Sequence, residues 1–181
     1  MIDKEQIREI KQLFYTYRNG IIADNLRKAG DEHNIIFGLN IPQIQDISKS
    51  LPKSQELAQW LWGNDSTRES QLLAPLLYPI ETFTKEVAIQ WISTVPNHEI
   101  ADNLCHKLLR KLPYAEELAW EFLSNKLSLD SAYMGLRLML NLLILGNAID
   151  SSRLNDVVDY YIQTDDNMLI CKQIKDYFEG E

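Results

Sequence analysis

The sequence predicts an all-α fold, a solenoid of paired helices, on three observations. Apolar residues recur at three- and four-residue steps almost throughout, and no alternating strand pattern of convincing length competes. Helices opening near Ser66, His98 and Asp130 start 32 residues apart, each followed by a shorter partner helix.

The elements follow in order. Ile7, Ile10, Phe14, Tyr17 and Ile21 mark the apolar side of a first helical segment. Between Gly30 and Pro42 the regularity fades, and the stretch reads as a connection. Helices are then predicted over about 42–50, 54–62, 66–78, 83–93, 98–111, 115–125, 130–145, 151–163 and 166–178. Pro42 suits a first helical turn, and Ser54, Ser66, Thr82, Asn97 and Asp130 can accept from the free N–H groups of helix starts. Gly63, Pro96, Pro113 and Gly146 punctuate the pattern.

A helix-pair period in the thirties suits stacking, because one pair alone cannot bury its apolar side and its neighbours complete the core. Consensus residues of tetratricopeptide and ankyrin repeats are missing, which favours the looser HEAT-like class. No boundary interrupts the pattern. The expectation is one HEAT-like repeat domain over 1–181, an α-α superhelix coiling right-handed around a concave binding face.

Composition narrows the function classes. With 45% hydrophobic and 24% charged residues, 7 Gly and 6 Pro in 181 positions, the chain is neither collagen-like nor disordered. No apolar run approaches the ~18 residues of a membrane span. The N-terminus is charged from Asp3 and does not read as a signal peptide. Cys105 and Cys171 stand in no metal or redox spacing and read as reduced, buried thiols. A cytoplasmic monomer without a membrane partner is expected.

The formal charge is −8, which argues against nucleic acid as a default partner unless basic residues cluster. Residues 1–40, 41–102, 103–149 and 150–181 carry nets of 0, −4, +1 and −5. The mildly basic stretch holds His106, Lys107, Arg110, Lys111, Lys126 and Arg137.

Chemistry-bearing motifs are few. No glycine-rich phosphate loop or nucleophile elbow is present. His98 and His106 are eight positions apart, not the three or four that put two ligands on adjacent turns, so no metal site and no cofactor are expected. Trp60, Trp91 and Trp120 sit among apolar neighbours and read as packing residues, while Trp62 beside Gly63 is ambiguous. The segment Val95-Pro96-Asn97-His98-Glu99-Ile100-Ala101-Asp102 is distinctive: it places Asp102 one turn beyond His98 on the same side of a helix start. There the helix dipole favours an ionised carboxylate. The same residues also make an ordinary capping network, with Asn97 as the cap.

The run Ile36-Phe37-Gly38-Leu39-Asn40-Ile41-Pro42-Gln43-Ile44-Gln45-Asp46-Ile47 resembles the entry segment of the DNA alkylation repair family, HEAT-like-repeat glycosylases that excise N3- and N7-alkylpurines. Glu56-Leu57-Ala58-Gln59-Trp60-Leu61-Trp62, then Arg68-Glu69-Ser70-Gln71-Leu72-Leu73-Ala74, then Ile89-Gln90-Trp91-Ile92 are similar to successive segments of that family. The similarity runs from about residue 20 to about 145. It implies Asp102 as the catalytic carboxylate and Arg137 as the phosphate holder. His98 stands where the family has a tryptophan, and a second family tryptophan falls near Asp176 and Tyr177, neither of which is Trp.

Two functions of different class follow. One is a monofunctional glycosylase hydrolysing the N-glycosidic bond of alkylated purines in double-stranded DNA, with His98, Arg137, Lys107, Arg110 and Lys111 contacting the DNA. The other is a non-catalytic HEAT-like module that binds DNA structure or a protein partner.

Overall fold

A computed structural model describes the backbone of residues 4–125, 129–163 and 168–180, and their side chains except at 125, 129, 130 and 168. Every regular element among the described residues is helical, and one lone parallel bridge joins Ile35 to Thr67. The chain divides into two compact units, Met1–Phe83 and Thr84–Glu181.

The first unit holds α1 (Lys4–Thr16), α2 (Gly20–Lys28), α3 (Ile41–Lys49), α4 (Gln55–Gly63), α5 (Arg68–Leu77) and a 3-10 turn over Ile80–Thr82. The apolar pattern through Ile21 reads as continuous helix, but it breaks at Asn19. That residue is extended (φ −135°, ψ 104°), its side chain accepts from the Ile21 and Ile22 N–H groups, and its own N–H donates to the Phe37 carbonyl at 2.8 Å. Ile10 and Phe14 are buried, whereas Tyr17 and Ile21, beyond or at the break, are exposed.

α3 opens on a reciprocal capping box between Asn40 and Gln43, with Pro42 in its first turn. Ser54 caps α4 as its position predicts. Ser66 does not cap α5: its hydroxyl donates to Asn64 Oδ1, and Thr67 takes the cap position without a side-chain bond. α5 is the centre of this unit, buried from Arg68 through Pro75 even where its residues are polar.

The second unit holds α6 (Lys85–Ile92), α7 (His98–Lys107), a 3-10 turn over Leu109–Lys111, α8 (Ala115–Asn125), α9 (Leu129–Ile144), α10 (Ser151–Tyr161) and α11 (Met168–Glu179). Thr84, not Thr82, caps α6. α7 ends four residues before the predicted 111: Leu108 leaves helical geometry, and Pro113 holds Leu112 in extended backbone. The predicted cap at Asp130, the basic Lys126 and the predicted start of the last helix at 166 lie outside the described residues or side chains. α9 lies close against α8 because residue 135 is glycine; a Cβ there would stand 2.8 Å from Leu123 Cγ and 3.1 Å from the Ala119 carbonyl.

Trp91 is buried, as a packing residue should be, and the ambiguous Trp62 is buried too, while Trp60 and Trp120 are partly exposed. Trp120 donates to Glu116 and carries the Arg153 guanidinium 3.9 Å above its ring.

Candidate functional site

Asn97 sets the start of α7: its extended backbone (φ −161°, ψ 171°) lets the side chain accept from the Ile100 N–H at 3.0 Å. The cap fixes where the first turn begins, so His98, Asp102 and His106, each one turn from the next, line one side of the helix. The same spacing on α9 aligns Tyr133, Arg137 and Asn141. The two rows meet rung by rung.

On the first rung the His98 and Tyr133 rings stack, centroids 3.8 Å apart and planes 5° from parallel. On the second, the Tyr133 hydroxyl donates to Asp102 Oδ1 at 2.7 Å, and Arg137 Nη2 donates to that hydroxyl at 3.0 Å. Arg137 Nε stands 2.7 Å from Asp102 Oδ1, yet its N–H is not directed along a hydrogen bond. The contact is an ion pair by proximity, and part of the guanidinium's donor capacity is unspent. On the third rung Asn141 raises the His106 imidazole against the pull of burial. α11 supplies the next row, with Gln173 Oε1 accepting from Arg137 Nη1 at 3.4 Å and the Tyr177 hydroxyl donating to the Leu143 carbonyl at 2.8 Å.

The electrostatics follow from depth. The Asp102 side chain keeps 43% of its surface and Arg137 keeps 20%. Burial pushes the Tyr133 phenol up; the Arg137 bond opposes this and the Asp102 bond adds to it, leaving the phenol at about 12. Burial alone would pull Arg137 down, but Tyr133 and the Asp102 charge leave it raised. The buried Cys105 thiol is pushed far up by burial and by Asp102, so it is no nucleophile at neutral pH.

The charges of Lys107, Arg110 and Lys111 act on His106. Burial, then Arg110 and Lys107, pull the His106 imidazole down, partly offset by Asn141; burial and Arg110 likewise lower Lys107. Of the site residues read from the sequence, His98, Asp102 and Arg137 meet around Tyr133. Sequence reasoning missed Tyr133, Asn141 and Gln173. A signal for the first existed: Tyr133 precedes Arg137 by the same four residues that separate His98 from Asp102.

Among the described residues no three His, Cys, Asp or Glu side chains converge in a way that could hold a metal ion. Nor is any described helix long and apolar enough to cross a membrane.

Residues 10–128 match the model of a family described as "DNA alkylation repair enzyme". The match includes His98 and Asp102 and stops short of Tyr133 and Arg137. No curated protein matches the chain. A solved structure described as "A new family of proteins related to the HEAT-like repeat DNA glycosylases with affinity for branched DNA structures" superimposes with a TM-score of 0.79 at 14% identity, over 94% of this chain and 74% of that one. At that identity the likeness shows the fold, an all-α HEAT-like repeat fold.

Proposed function

The chain belongs to the DNA alkylation repair enzyme family, and from that membership we propose that it binds DNA on the side of the second unit lined by α7 and α9 and there hydrolyses the N-glycosidic bond of N3- or N7-alkylated purines. The carrying observation is the cluster of Asp102, Arg137 and Tyr133, a carboxylate and a guanidinium held within 2.7 Å by one phenol.

An alkylated purine already bears positive charge and leaves without a general acid. The glycosidic electron pair departs with the ring nitrogen and neutralises the base, cationic character develops on the deoxyribose, and water adds at its anomeric carbon and releases a proton. A preorganised carboxylate stabilises that developing charge electrostatically. Asp102, partly exposed, would do so, and Arg137 would bind the adjacent phosphate through the Nη hydrogens left over from its bonds to Tyr133 and Gln173. Lys107, Arg110 and Lys111 supply the sequence-independent backbone contacts.

The test is release of alkylated bases from methylated double-stranded DNA by the purified protein beside Asp102→Asn. Release by the wild type, falling about 100-fold or more in the variant, is the expected result. Equal release by both would remove Asp102 from the role.

A second reading rests on one observation: Tyr133 and Arg137 already occupy Asp102 Oδ1. A carboxylate so engaged suits a binding module, and the solved relative is described as having affinity for branched DNA. No release by either protein, with retained binding to branched duplexes, favours this reading.

A further inference from the structure

The first unit contains a cavity of about 440 Å³ that the proposed function does not use. This volume falls within the roughly 300–1,000 Å³ typical of small-ligand sites. Tyr15, Phe37 and Trp60 line it together with Ile10, Ile35 and the buried Phe14, whose ring packs on Phe37 with centroids 5.7 Å apart. Asn64, Ser66, Thr67 and Ser70 also line it. Asn64 Nδ2 donates to Ser70 Oγ at 2.9 Å, and Ser66 donates to Asn64 Oδ1 at 3.2 Å. An amide nitrogen carries two hydrogens, and that bond uses one of them. Lys11 also lines the cavity, and the Arg18 guanidinium lies 3.7 Å over the Tyr15 ring.

The wall is braced by an unusual amount of buried charge. Glu69, fully buried, accepts the N–H groups of Phe37 at 3.1 Å, Gly38 at 3.0 Å and Leu39 at 3.3 Å. Arg68 donates both to Glu69 at 2.8 Å and to the Leu39 carbonyl at 3.0 Å. Ile35 is pinned on both sides, its N–H to the Ser66 carbonyl at 2.8 Å and its carbonyl to the Arg68 N–H at 3.1 Å. His33, bonded to Asp31 and Gln71, ties down the entry to the same loop. Gly38 takes φ +81°, and a Cβ there would stand 2.1 Å from the Asn19 carbonyl oxygen. Taking such charges out of water is costly, and apolar packing would close a core without that cost. What the charges hold in place is the Ile35 and Phe37 wall of the cavity. At the mouth, Tyr15 and Ile35 stay 60% and 46% exposed, large apolar surface left wet beside a formed cavity.

We propose that this cavity binds a planar nucleobase, presented either by an unpaired position in DNA or by a free nucleoside. Tyr15, Phe37 and Trp60 stack on the base, and the second hydrogen of the Asn64 amide meets the ring edge. Lys11 in the lining and Arg18 over the Tyr15 ring supply positive charge for an attached phosphate.

The test uses the full chain and two probes: 2-aminopurine riboside, and a duplex with one bulged 2-aminopurine beside its fully paired counterpart. Saturable fluorescence quenching by the riboside or the bulged duplex, weakened about fivefold or more in both Tyr15→Ser and Trp60→Leu, is the expected result. Tyr15 lies at the mouth, so its variant leaves the core intact. A riboside response assigns a soluble ligand, and a response to bulged DNA alone assigns the unpaired base; either supports the site. Asp102→Asn should leave the quenching unchanged, which separates this site from the one in the second unit. Quenching that Asp102→Asn abolishes, quenching that neither cavity variant weakens, or no quenching with either probe overturns the proposal, as does saturation of the cavity by an apolar peptide alone.

Discussion

Tyr133 and Asp102, 31 residues apart, are joined by a 2.7 Å hydrogen bond in which the phenol donates to the carboxylate. The same ring lies flat on His98 and the same hydroxyl accepts from Arg137. One side chain therefore holds all three residues of the site, although it carries neither of the site's formal charges.

Separating its ring from its hydroxyl tests that role. Tyr133→Phe keeps the stack on His98 and loses the bonds to Asp102 and Arg137; an unfolding free energy lower by about 1 kcal/mol is expected. Tyr133→Ala also empties a buried volume, and about 3–5 kcal/mol should be lost. Urea denaturation midpoints measure both. Equal losses would show that the ring contributes nothing.

Alkaline titration should reveal the same phenol. Tyr133 is held at about 12 against an ordinary 10, so the folded chain keeps a proton that the unfolded chain releases. Its contribution to stability is complete below pH 10 and disappears as the pH rises through about 12. Phenolate absorbance should show a late-titrating tyrosine, and Asp102→Asn should move it to lower pH, because Asp102 raises it. A late tyrosine that ignores this substitution would place the effect elsewhere.

In the first unit, Glu69→Ala removes an acceptor from three backbone donors and leaves Arg68 without its nearest counter-charge. A loss of about 3–5 kcal/mol is expected. Hydrogen exchange should show the Phe37, Gly38 and Leu39 amides losing protection before the helices do. Unchanged protection there would mean the loop holds without Glu69.

If Lys107, Arg110, Lys111 and Arg137 contact four phosphates, log K for duplex DNA should fall with log salt at a slope of about −3.6, and binding should be micromolar or weaker. Reversing two of them, Arg110→Glu with Lys111→Glu, should reduce the slope to about −1.8 or abolish binding. A slope unaffected by the reversal would put the DNA surface elsewhere.

The amino-acid pattern by itself determined the helices, because their information is local. Apolar spacing placed α3 through α11 within a few residues of their observed limits, and Ser54 and Asn97 were readable as caps because a cap is satisfied three residues away. It also put His98 and Asp102 on one side of one helix, and the resemblance to the family pointed to Arg137. Tertiary structure decided the rest. The break at Asn19 is invisible to periodicity, since its N–H is taken by Phe37 from a distant loop. The end of α7 at Lys107, with a 3-10 turn over Leu109–Lys111, was likewise not legible in the apolar spacing. Tyr133 in the site and Glu69 under the loop act on groups about 30 residues away. No local pattern encodes such a partner, because the free energy of a buried hydrogen bond depends on which groups the folded chain brings together and shields from water.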